Sequence, residues 1–259
     1  MCELNDLFRK RVGISKEEKI TFENLDMVLE KTAKTIPFEN LCIIENRTND
    51  VTKENLVNKM LMKKEGGLCY ELNSILFYFL KENGFNVYLV RGVIFNHDAQ
   101  NWLTLGRTHA AILLNHENGT YLVDTGFGGN LPLRAVPLNG GTVTSNNGEF
   151  RVSKMKNEHG DYILEMKLKH KDQDWRIGYT FDSKRPVTEV SDFNEIQRIL
   201  IEKDDSPFNK NPLITQLTEK GNMTLTDTTF TEWVNGELKK DSIDSKRFKE
   251  LAKRYFGIE

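Results

Sequence analysis

The first 84 residues carry apolar side chains at helical spacing. The pattern predicts helices over 4–12, 22–36 and 52–61, and a fourth that begins at Cys69. In this fourth helix, apolar residues recur three and four positions apart up to Leu80, and Gly84 follows as a helix stop. The N-terminal third is therefore expected to be helical.

The spacing changes at Phe85, where short β-rich runs replace the helical pattern. We predict six strands separated by polar loops, over 85–95, 108–114, 120–125, 149–155, 162–169 and 175–181. Because no helical pattern lies between these runs, we expect an antiparallel sheet or barrel and not a Rossmann sheet.

After Pro186 the pattern is mixed. We predict a helix capped by Ser191, a hairpin that turns at Asn235-Gly236, and a final helix whose inner face carries Phe248, Leu251 and Tyr255. The chain is thus expected to divide into a helical block (1–84), a β-rich block (85–190) and a smaller α/β block (191–259).

The bulk composition indicates a soluble globular protein, with 38% hydrophobic and 29% charged residues among 259. The net charge of −2 gives no general attraction to nucleic acid or to an anionic membrane, so any basic site must be local. The first residues lack the apolar segment of a secretion signal, and no apolar run approaches the ~18 residues of a membrane span. We therefore expect a cytoplasmic protein without nucleic-acid or membrane partners.

The cysteines and histidines show neither a disulfide pattern nor a metal-binding pattern. Cys2, Cys42 and Cys69 are an odd number without paired spacing, and neither C-x-x-C nor H-x-x-x-H occurs. We expect no disulfide framework and no metal.

Cys69 lies where the glycine pair Gly66-Gly67 gives way to the fourth helix. A thiol in the first turn of a helix is close to free N–H groups and to the positive end of the helix dipole, which favour a thiolate and an oxyanion. The alternative is a small buried core residue, which is common for free cysteine. The glycine break and the residues described next favour a nucleophile.

A thiol nucleophile needs a base, and the base needs an orienting group. His109 is the one histidine that begins an apolar strand, and fifteen residues later Asp124 interrupts a second apolar run. A carboxylate in a core strand is costly unless it is paired. Any basic neighbour could satisfy Asp124, so an ordinary buried ion pair is the alternative to a catalytic His–Asp pair.

The turn between the two strands decides whether these residues can meet. A turn at Asn118-Gly119 would place His109 and Asp124 roughly 13 Å apart along the strands. A turn at Glu117-Asn118 leaves a diagonal of roughly 7–8 Å that the two side chains can span. The His–Asp pair therefore requires the second register or a bulge, and the sequence leaves both turns open.

A glycine-rich run, Thr125-Gly126-Phe127-Gly128-Gly129, follows Asp124. Pro132 and Pro137 occupy the region where a dinucleotide-binding motif would begin its helix, so that motif is disfavoured. The glycines still permit a ligand to approach the backbone closely.

Four motifs in order make the chain similar to the arylamine N-acetyltransferases over essentially its whole length. They are Pro37-Phe38-Glu39-Asn40-Leu41, the segment from Gly66 to Asn73 around Cys69, Arg107-Thr108-His109, and Val123-Asp124-Thr125-Gly126-Phe127-Gly128. The resemblance implies an α+β fold with an N-terminal helical bundle, a central antiparallel β-barrel and a C-terminal α/β lid, around a core like that of cysteine proteases and transglutaminases.

The resemblance also implies the chemistry. Acetyl-CoA would acetylate Cys69, with His109 as base and then acid and Asp124 fixing the imidazole tautomer. An arylamine or hydrazine would then attack the thioester in a ping-pong cycle, as in xenobiotic metabolism. The backbone N–H of Cys69 is a candidate oxyanion donor.

Members of this family bind their two substrates with residues that can be matched here. The match implies CoA contacts at Thr108, Gly126, Phe127 and Phe208, and amine contacts at Phe38 and Val93. Aromatic and β-branched residues are more commonly simple core residues.

One position departs from the family pattern, because Glu65 stands where an arginine usually precedes the two glycines. That arginine would pair with Glu39, and Lys63 or Lys64 could replace it. Two alternatives to acetyl transfer follow: a triad thiol enzyme with another acyl donor, such as an amide synthase, a thiol hydrolase or a transglutaminase-like enzyme, and a non-catalytic binding module with an inert Cys69.

Overall fold

The computed structural model describes residues 4–258, so Cys2 lies outside the described residues. Its N-terminal helices are α1 (Leu4–Val12), α2 (Leu25–Thr35), α3 (Leu41–Ile44), α4 (Lys53–Leu56, continued by a π-helical segment Val57–Met62) and α5 (Cys69–Glu82). The predicted starts at Thr52 and Cys69 agree, because Thr52 Oγ1 accepts a hydrogen bond from Asn55 N and α5 begins at Cys69.

A two-residue strand, β1 (Phe38–Glu39), lies between α2 and α3 and was not predicted. The central sheet contains β2 (Asn86–Asn96), β3 (Asn101–Trp102), β4 (His109–His116), β5 (Gly119–Val123), β6 (Val136–Pro137), β7 (Val143–Ser145), β8 (Gly148–Lys154), β9 (Tyr162–Leu168) and β10 (Arg176–Val187). All six predicted strands are therefore present.

The strand order of the central sheet is β6-β5-β4-β2-β10-β9-β8-β7, with β3 paired to β2, and every pairing is antiparallel. Because β6 also packs against β8, the sheet is nearly closed into a barrel. The expected α+β class with an antiparallel barrel is confirmed.

The last part of the chain contains a short 3-10 turn (Val190–Phe193), α6 (Asn194–Glu202), and strands β11 (Leu213–Thr218), β12 (Gly221–Thr226), β13 (Thr229–Val234) and β14 (Glu237–Ser242). It ends with α7 (Ser245–Leu251) and a π-helical turn (Ala252–Phe256). The hairpin at Asn235-Gly236 is present, since Val234 pairs with Glu237. The predicted cap at Ser191 is wrong, because Ser191 lies inside the 3-10 turn that precedes α6.

The second sheet joins distant parts of the chain. Its order is β1-β11-β12-β13-β14, so a strand from the helical region pairs with the C-terminal strands through Phe38 and Thr215. The sequence did not predict β11 and β12, whose threonines and asparagine interrupt the apolar alternation.

Strand β4 is buried on both faces, which explains its nearly continuous apolar sequence. Ala110, Ile112 and Leu114 belong to the core shared with α5 and α6, whereas Ala111 and Leu113 belong to the core inside the barrel. The strand that begins at His109 is therefore held between two packed layers. Within residues 4–258, no helix is long and apolar enough to cross a bilayer.

The loop before Cys69 lies so close to β1 that it requires glycine. A Cβ at Gly66 would lie 2.1 Å from Pro37 O and 2.8 Å from Glu39 Cγ, whereas at Gly129 the nearest atom would be 3.8 Å away. We expect Gly66→Ala to lower the free energy of unfolding by about 1–3 kcal/mol, as overpacking does. Gly129→Ala is the matched control and should be nearly neutral.

Thermal unfolding of both variants checks this prediction. A loss of that size corresponds to a Tm lower by roughly 2–12 °C for a chain near this length. Equal melting temperatures for Gly66→Ala and Gly129→Ala would show that the loop can move away from β1.

Candidate active site

Cys69 is the first residue of α5, and the chain before it is fixed by hydrogen bonds on both sides. Gly67 N donates to Pro37 O at 3.2 Å, and Glu39 N donates to Gly67 O at 3.0 Å. Leu68 N donates to the Glu71 carboxylate at 3.0 Å, so the first turn of α5 is capped by its own side chain. The thiol is thereby placed at the helix N-terminus, as the sequence predicted.

The structure brings Cys69, His109 and Asp124 together in one buried chain of contacts. His109 Nε2 lies 2.8 Å from Asp124 Oδ2, and the same imidazole lies close enough to the Cys69 side chain to interact with it. Cys69 Sγ also lies 3.4 Å from Thr108 O. Such a nucleophile, base and carboxylate in contact have the arrangement that acyl transfer requires.

Asp124 accepts four hydrogen bonds, which use both of its oxygens fully. Oδ2 accepts from His109 Nε2 and from the Tyr179 hydroxyl, each at 2.8 Å. Oδ1 accepts from Gly126 N at 2.7 Å and from Asn73 Nδ2 at 2.9 Å. Asp124 lies immediately after β5 and not within the strand, and its buried carboxylate is fully hydrogen-bonded, which offsets the cost of burial.

Asn73 connects the two halves of the site. It lies one helical turn after Cys69, is completely buried, and also donates to Ala110 O at 2.7 Å while its Oδ1 accepts from Thr125 N at 2.9 Å. One side chain on α5 therefore fixes the backbone of β4 and the turn after β5.

The electrostatics of the buried pair favour an imidazolium–carboxylate pair. Burial disfavours the charged imidazole, but the Asp124 carboxylate outweighs it and raises the pKa of His109 above its ordinary value. Burial likewise opposes ionisation of Asp124, yet His109 and the other donors lower the pKa of this carboxyl. Burial, and then Asp124, raise the pKa of Tyr179, so its hydroxyl stays a proton donor.

The β4–β5 hairpin has the register that the pairing of His109 and Asp124 needs. His116 pairs with Gly119, so the turn is at Glu117-Asn118, and Glu117 has a positive φ of 49°. The turn at Asn118-Gly119 was the wrong alternative. Gly119 is instead the first residue of β5.

A lysine missed by the sequence reasoning supports the loop before Cys69. Lys59 Nζ lies 2.6 Å from the Glu71 carboxylate and 3.8 Å from that of Glu39. The expectation that Lys63 or Lys64 would replace the family arginine is therefore wrong. Lys59 lies on the π-helical segment that follows α4, and the wider turn there is not visible in the sequence.

Glu65, which stands where the family has an arginine, pairs with a cation of its own. Its carboxylate contacts Arg47 Nη1 at 3.1 Å, which offsets its charge. Burial is the largest cause that raises the pKa of Glu39, and the charges of Glu71 and Glu65 add to it while Lys59 opposes it. The negative charge of Glu65 therefore acts on Glu39 as expected, but it is a minor contribution to the raised pKa of Glu39.

Some of the predicted ligand-binding residues lie beside His109, and the others form a separate aromatic pair. The Phe127 ring is 5.2 Å from that of His109, and the Phe38 and Phe208 rings meet edge to face at 5.7 Å. Val93 is fully buried on β2, next to Gly92, which pairs with His109.

Gly126 lies directly against the nucleophile. A Cβ at this position would be 2.6 Å from Cys69 Cα and 2.7 Å from Asn73 Nδ2. The absence of a side chain at Gly126 therefore allows α5 to pack directly against the turn after β5.

Two contributors to the site, Asn73 and Tyr179, were not assigned a role from the sequence. Asn73 carries a weak signal, because a polar residue four positions after Cys69 falls on the buried face of the helix. Tyr179 carries none, since it reads as one more aromatic residue in a strand. In residues 4–258 no three Cys, His, Asp or Glu side chains converge as a metal site needs, and metal-free chemistry stays a prediction.

Comparison with known proteins agrees with this geometry. The family model described as N-acetyltransferase matches residues 18–259. Arylamine N-acetyltransferase C from Bacillus anthracis superposes with a TM-score of 0.94 at 38% identity, over 100% of both chains. A probable arylamine N-acetyltransferase of Dictyostelium discoideum is 30% identical over 86% of this chain and 81% of its own length.

A third relative, the arylamine N-acetyltransferase NAT3 of Bacillus cereus, superposes with a TM-score of 0.94 at 39% identity, over 100% of this chain and 99% of its own. That protein is described as having a unique Cys-His-Glu catalytic triad. In the chain described here, the carboxylate that contacts His109 belongs to an aspartate. Fold, site and relatives together show that this chain is a member of the arylamine N-acetyltransferase family and an acyltransferase.

Proposed function

We propose that the protein transfers the acetyl group of acetyl-CoA to arylamines and arylhydrazines, by a ping-pong mechanism with an acetyl-Cys69 intermediate. The observation that carries the proposal is the buried contact of Cys69 with His109 and of His109 with Asp124 at 2.8 Å. This arrangement supplies a nucleophile and a base from residues of one chain.

In the first half-reaction, Cys69 Sγ attacks the thioester carbonyl of acetyl-CoA, with the thiol proton held by His109 as the imidazolium. The bond from the carbonyl carbon to Cys69 forms, the bond to the CoA sulfur breaks, and CoA leaves as the thiol after taking the proton from the imidazolium. The free N–H groups of the first turn of α5, that of Cys69 among them, can hold the oxyanion.

In the second half-reaction, an aromatic amine or hydrazine attacks the acetyl-Cys69 carbonyl. His109 accepts the proton of the amine and returns it to the leaving thiol, which regenerates the free enzyme. Asp124 keeps the imidazole in the required tautomer, and Asn73 and Tyr179 hold the carboxylate in place.

Phe38 and Val93 are proposed as amine-binding residues, and Phe127 and Phe208 as CoA contacts beside them. Phe38 lies 3.8 Å from the position of a Cβ on Gly128, and its ring contacts Phe208. Phe127 contacts the catalytic imidazole, and Val93 lies on the strand next to it. Thr108 and Gly126 would then lie where the acyl end of acetyl-CoA reaches the thiol. A cytoplasmic location and a role in xenobiotic metabolism remain predictions.

The intact mass of the protein after mixing with acetyl-CoA tests the proposal directly. We expect a single added acetyl group that maps to Cys69 and disappears when an aromatic amine is added, as the N-acetylated amine forms. The Cys69→Ala variant is the control and should gain no acetyl group.

Two outcomes would contradict acetyl transfer from CoA. An unmodified protein with a reactive Cys69 would indicate another acyl donor, as in an amide synthase or a thiol hydrolase. An unmodified protein with an unreactive Cys69 would indicate a binding module.

Alteration of the carboxylate tests the assigned roles of the triad. Asp124→Asn should lower kcat by roughly 10³–10⁴-fold with the fold intact, because the imidazole loses the charge that selects its tautomer. Asp124→Glu keeps a carboxylate and should retain more activity than Asp124→Asn, and His109→Ala should abolish transfer. A normal rate for Asp124→Asn or His109→Ala in a steady-state assay would overturn the assigned role.

The two described cysteines should differ in reactivity, and Cys42 is an internal control. Burial raises the pKa of Cys42 to about 12, despite the nearby cations Lys59 and Arg47. We therefore expect iodoacetamide at pH 6 to modify Cys69, which contacts His109, while Cys42 stays unmodified. Peptide mapping after a short exposure checks this, and His109→Gln should slow the alkylation of Cys69. Equal labelling of both cysteines would exclude an activated thiol.

A further inference from the structure

Four arginines line a groove beside the segment that leads into His109. We call this cavity of about 690 Å³ the arginine groove; its cations are Arg91, Arg107, Arg185 and Arg198. The acidic residues in its lining are Asp192 and Glu195, so positive charges exceed negative ones by two. A protein with a net charge of −2 thus concentrates positive charge at one place.

The guanidinium groups of the groove are only partly neutralised. Arg107 donates to the carbonyl oxygens of His159 at 3.1 Å and Arg91 at 3.2 Å, and the carboxylate of Asp182 is 4.0 Å away. Arg91 pairs with Glu195 at 2.6 Å. Arg185 pairs with Asp182 at 3.2 Å but its side chain is 75% exposed, and Arg198 is also exposed.

The charge of Arg107 shows how close the arginines are to one another. Burial lowers the pKa of Arg107, Asp182 opposes this, and the neighbouring Arg185 and Arg91 lower it further. Like charges at such short range are costly, and a bound anion would remove that cost.

A second basic cavity shares two of the same arginines. It also has a volume of about 690 Å³, and its lining contains five basic residues, Arg107, Arg185, Lys154, Lys156 and Lys184, against three acidic ones, Glu158, Asp161 and Asp182. The positive surface therefore extends on both sides of Arg107.

The arginine groove is close to the nucleophile along the chain. Thr108 O lies 3.4 Å from Cys69 Sγ, and Arg107 is the residue immediately before it. Consecutive Cα atoms are about 3.8 Å apart, so the first arginine of the groove is one residue away from the residue that contacts the reacting sulfur. This separation is shorter than CoA, so a donor with its acyl end at Cys69 is long enough to place its other end at these arginines.

We propose that the arginine groove binds the phosphate groups at the nucleotide end of the acyl-CoA donor, with Arg185 and Arg198 as its exposed anion ligands. This inference rests on the proposed function. Guanidinium groups bind phosphates through paired hydrogen bonds, and the groove offers several at once. The groove would then distinguish CoA thioesters from simple acyl donors that carry no phosphate.

The test compares two acetyl donors in steady-state kinetics, acetyl-CoA and the phosphate-free thioester acetyl-S-(N-acetylcysteamine). The variant Arg185→Gln/Arg198→Gln removes the two exposed charges and leaves in place the arginines that bond to the backbone. The matched control is Lys239→Gln/Lys240→Gln, on the exposed strand β14. Circular dichroism checks that both variants fold.

We expect the arginine variant to raise the KM for acetyl-CoA about 3- to 30-fold, in the range of one or two exposed charge-assisted hydrogen bonds, with kcat nearly unchanged. The KM for the phosphate-free thioester should stay the same, and the control should change neither. Adenosine 3′,5′-bisphosphate should compete with acetyl-CoA in the unaltered protein, more strongly than inorganic pyrophosphate, and less well in the arginine variant.

Three results would overturn the proposal: an unchanged KM for acetyl-CoA, an equal rise for both donors, or inhibition by pyrophosphate as strong as that by the bisphosphate. A failure of acetyl transfer itself is distinguishable, because the unaltered protein would then be inactive with acetyl-CoA. In that case calorimetric binding of adenosine 3′,5′-bisphosphate decides the matter. Binding that is weakened in the arginine variant supports the groove, and absence of binding refutes it.

Discussion

The hydrogen bonding of Asp124 is the constraint on which the rest of the site depends. A buried carboxylate at the end of a core strand is costly unless its lone pairs are used, and here the four donors come from β4, α5, β10 and the turn after β5. Those elements cannot shift independently without leaving a buried charge exposed to an apolar core. The same four contacts fix the position of His109. The hydrogen bonds that offset the cost of burying the carboxylate therefore also orient the base.

A second buried charge network supports the nucleophile from the other side. Lys59 lies between the carboxylates of Glu71 and Glu39. The Glu71 carboxylate accepts from Leu68 N, and the backbone N of Glu39 donates to Gly67 O. The departure at Glu65 therefore leaves the loop supported by a cation, although from a different element. Two networks, one under His109 and one behind Cys69, meet at the first turn of α5.

Much of this arrangement follows from local patterns in the sequence. The start of α5 at Cys69 and the strand at His109 were predicted because glycine breaks and apolar periodicity are local signals. The register of the β4–β5 hairpin was expected only through the assumed pairing of His109 with Asp124, since the turn residues by themselves left both turns open. Tyr179 and Lys59 could not be found, because each acts through a contact between distant segments. The strands β11 and β12 were missed for a related reason, as their polar residues are satisfied by neighbours and not by solvent.

The pairing of β1 with β11 has a consequence for how the enzyme matures. Phe38–Glu39 bonds both to Gly67, beside the nucleophile, and to Ile214 and Thr215 near the end of the chain. During synthesis at about 5–20 residues per second, the N-terminal helices emerge well before their strand partner. For several seconds, a nascent chain therefore contains Cys69 and β1 but not the strand β11 with which β1 pairs. The support that β1 gives to the loop before Cys69 needs a strand from the C-terminal region. Chains that end before β11 should therefore be inactive, with Cys69 in a loop that lacks the hydrogen-bonded support of β1.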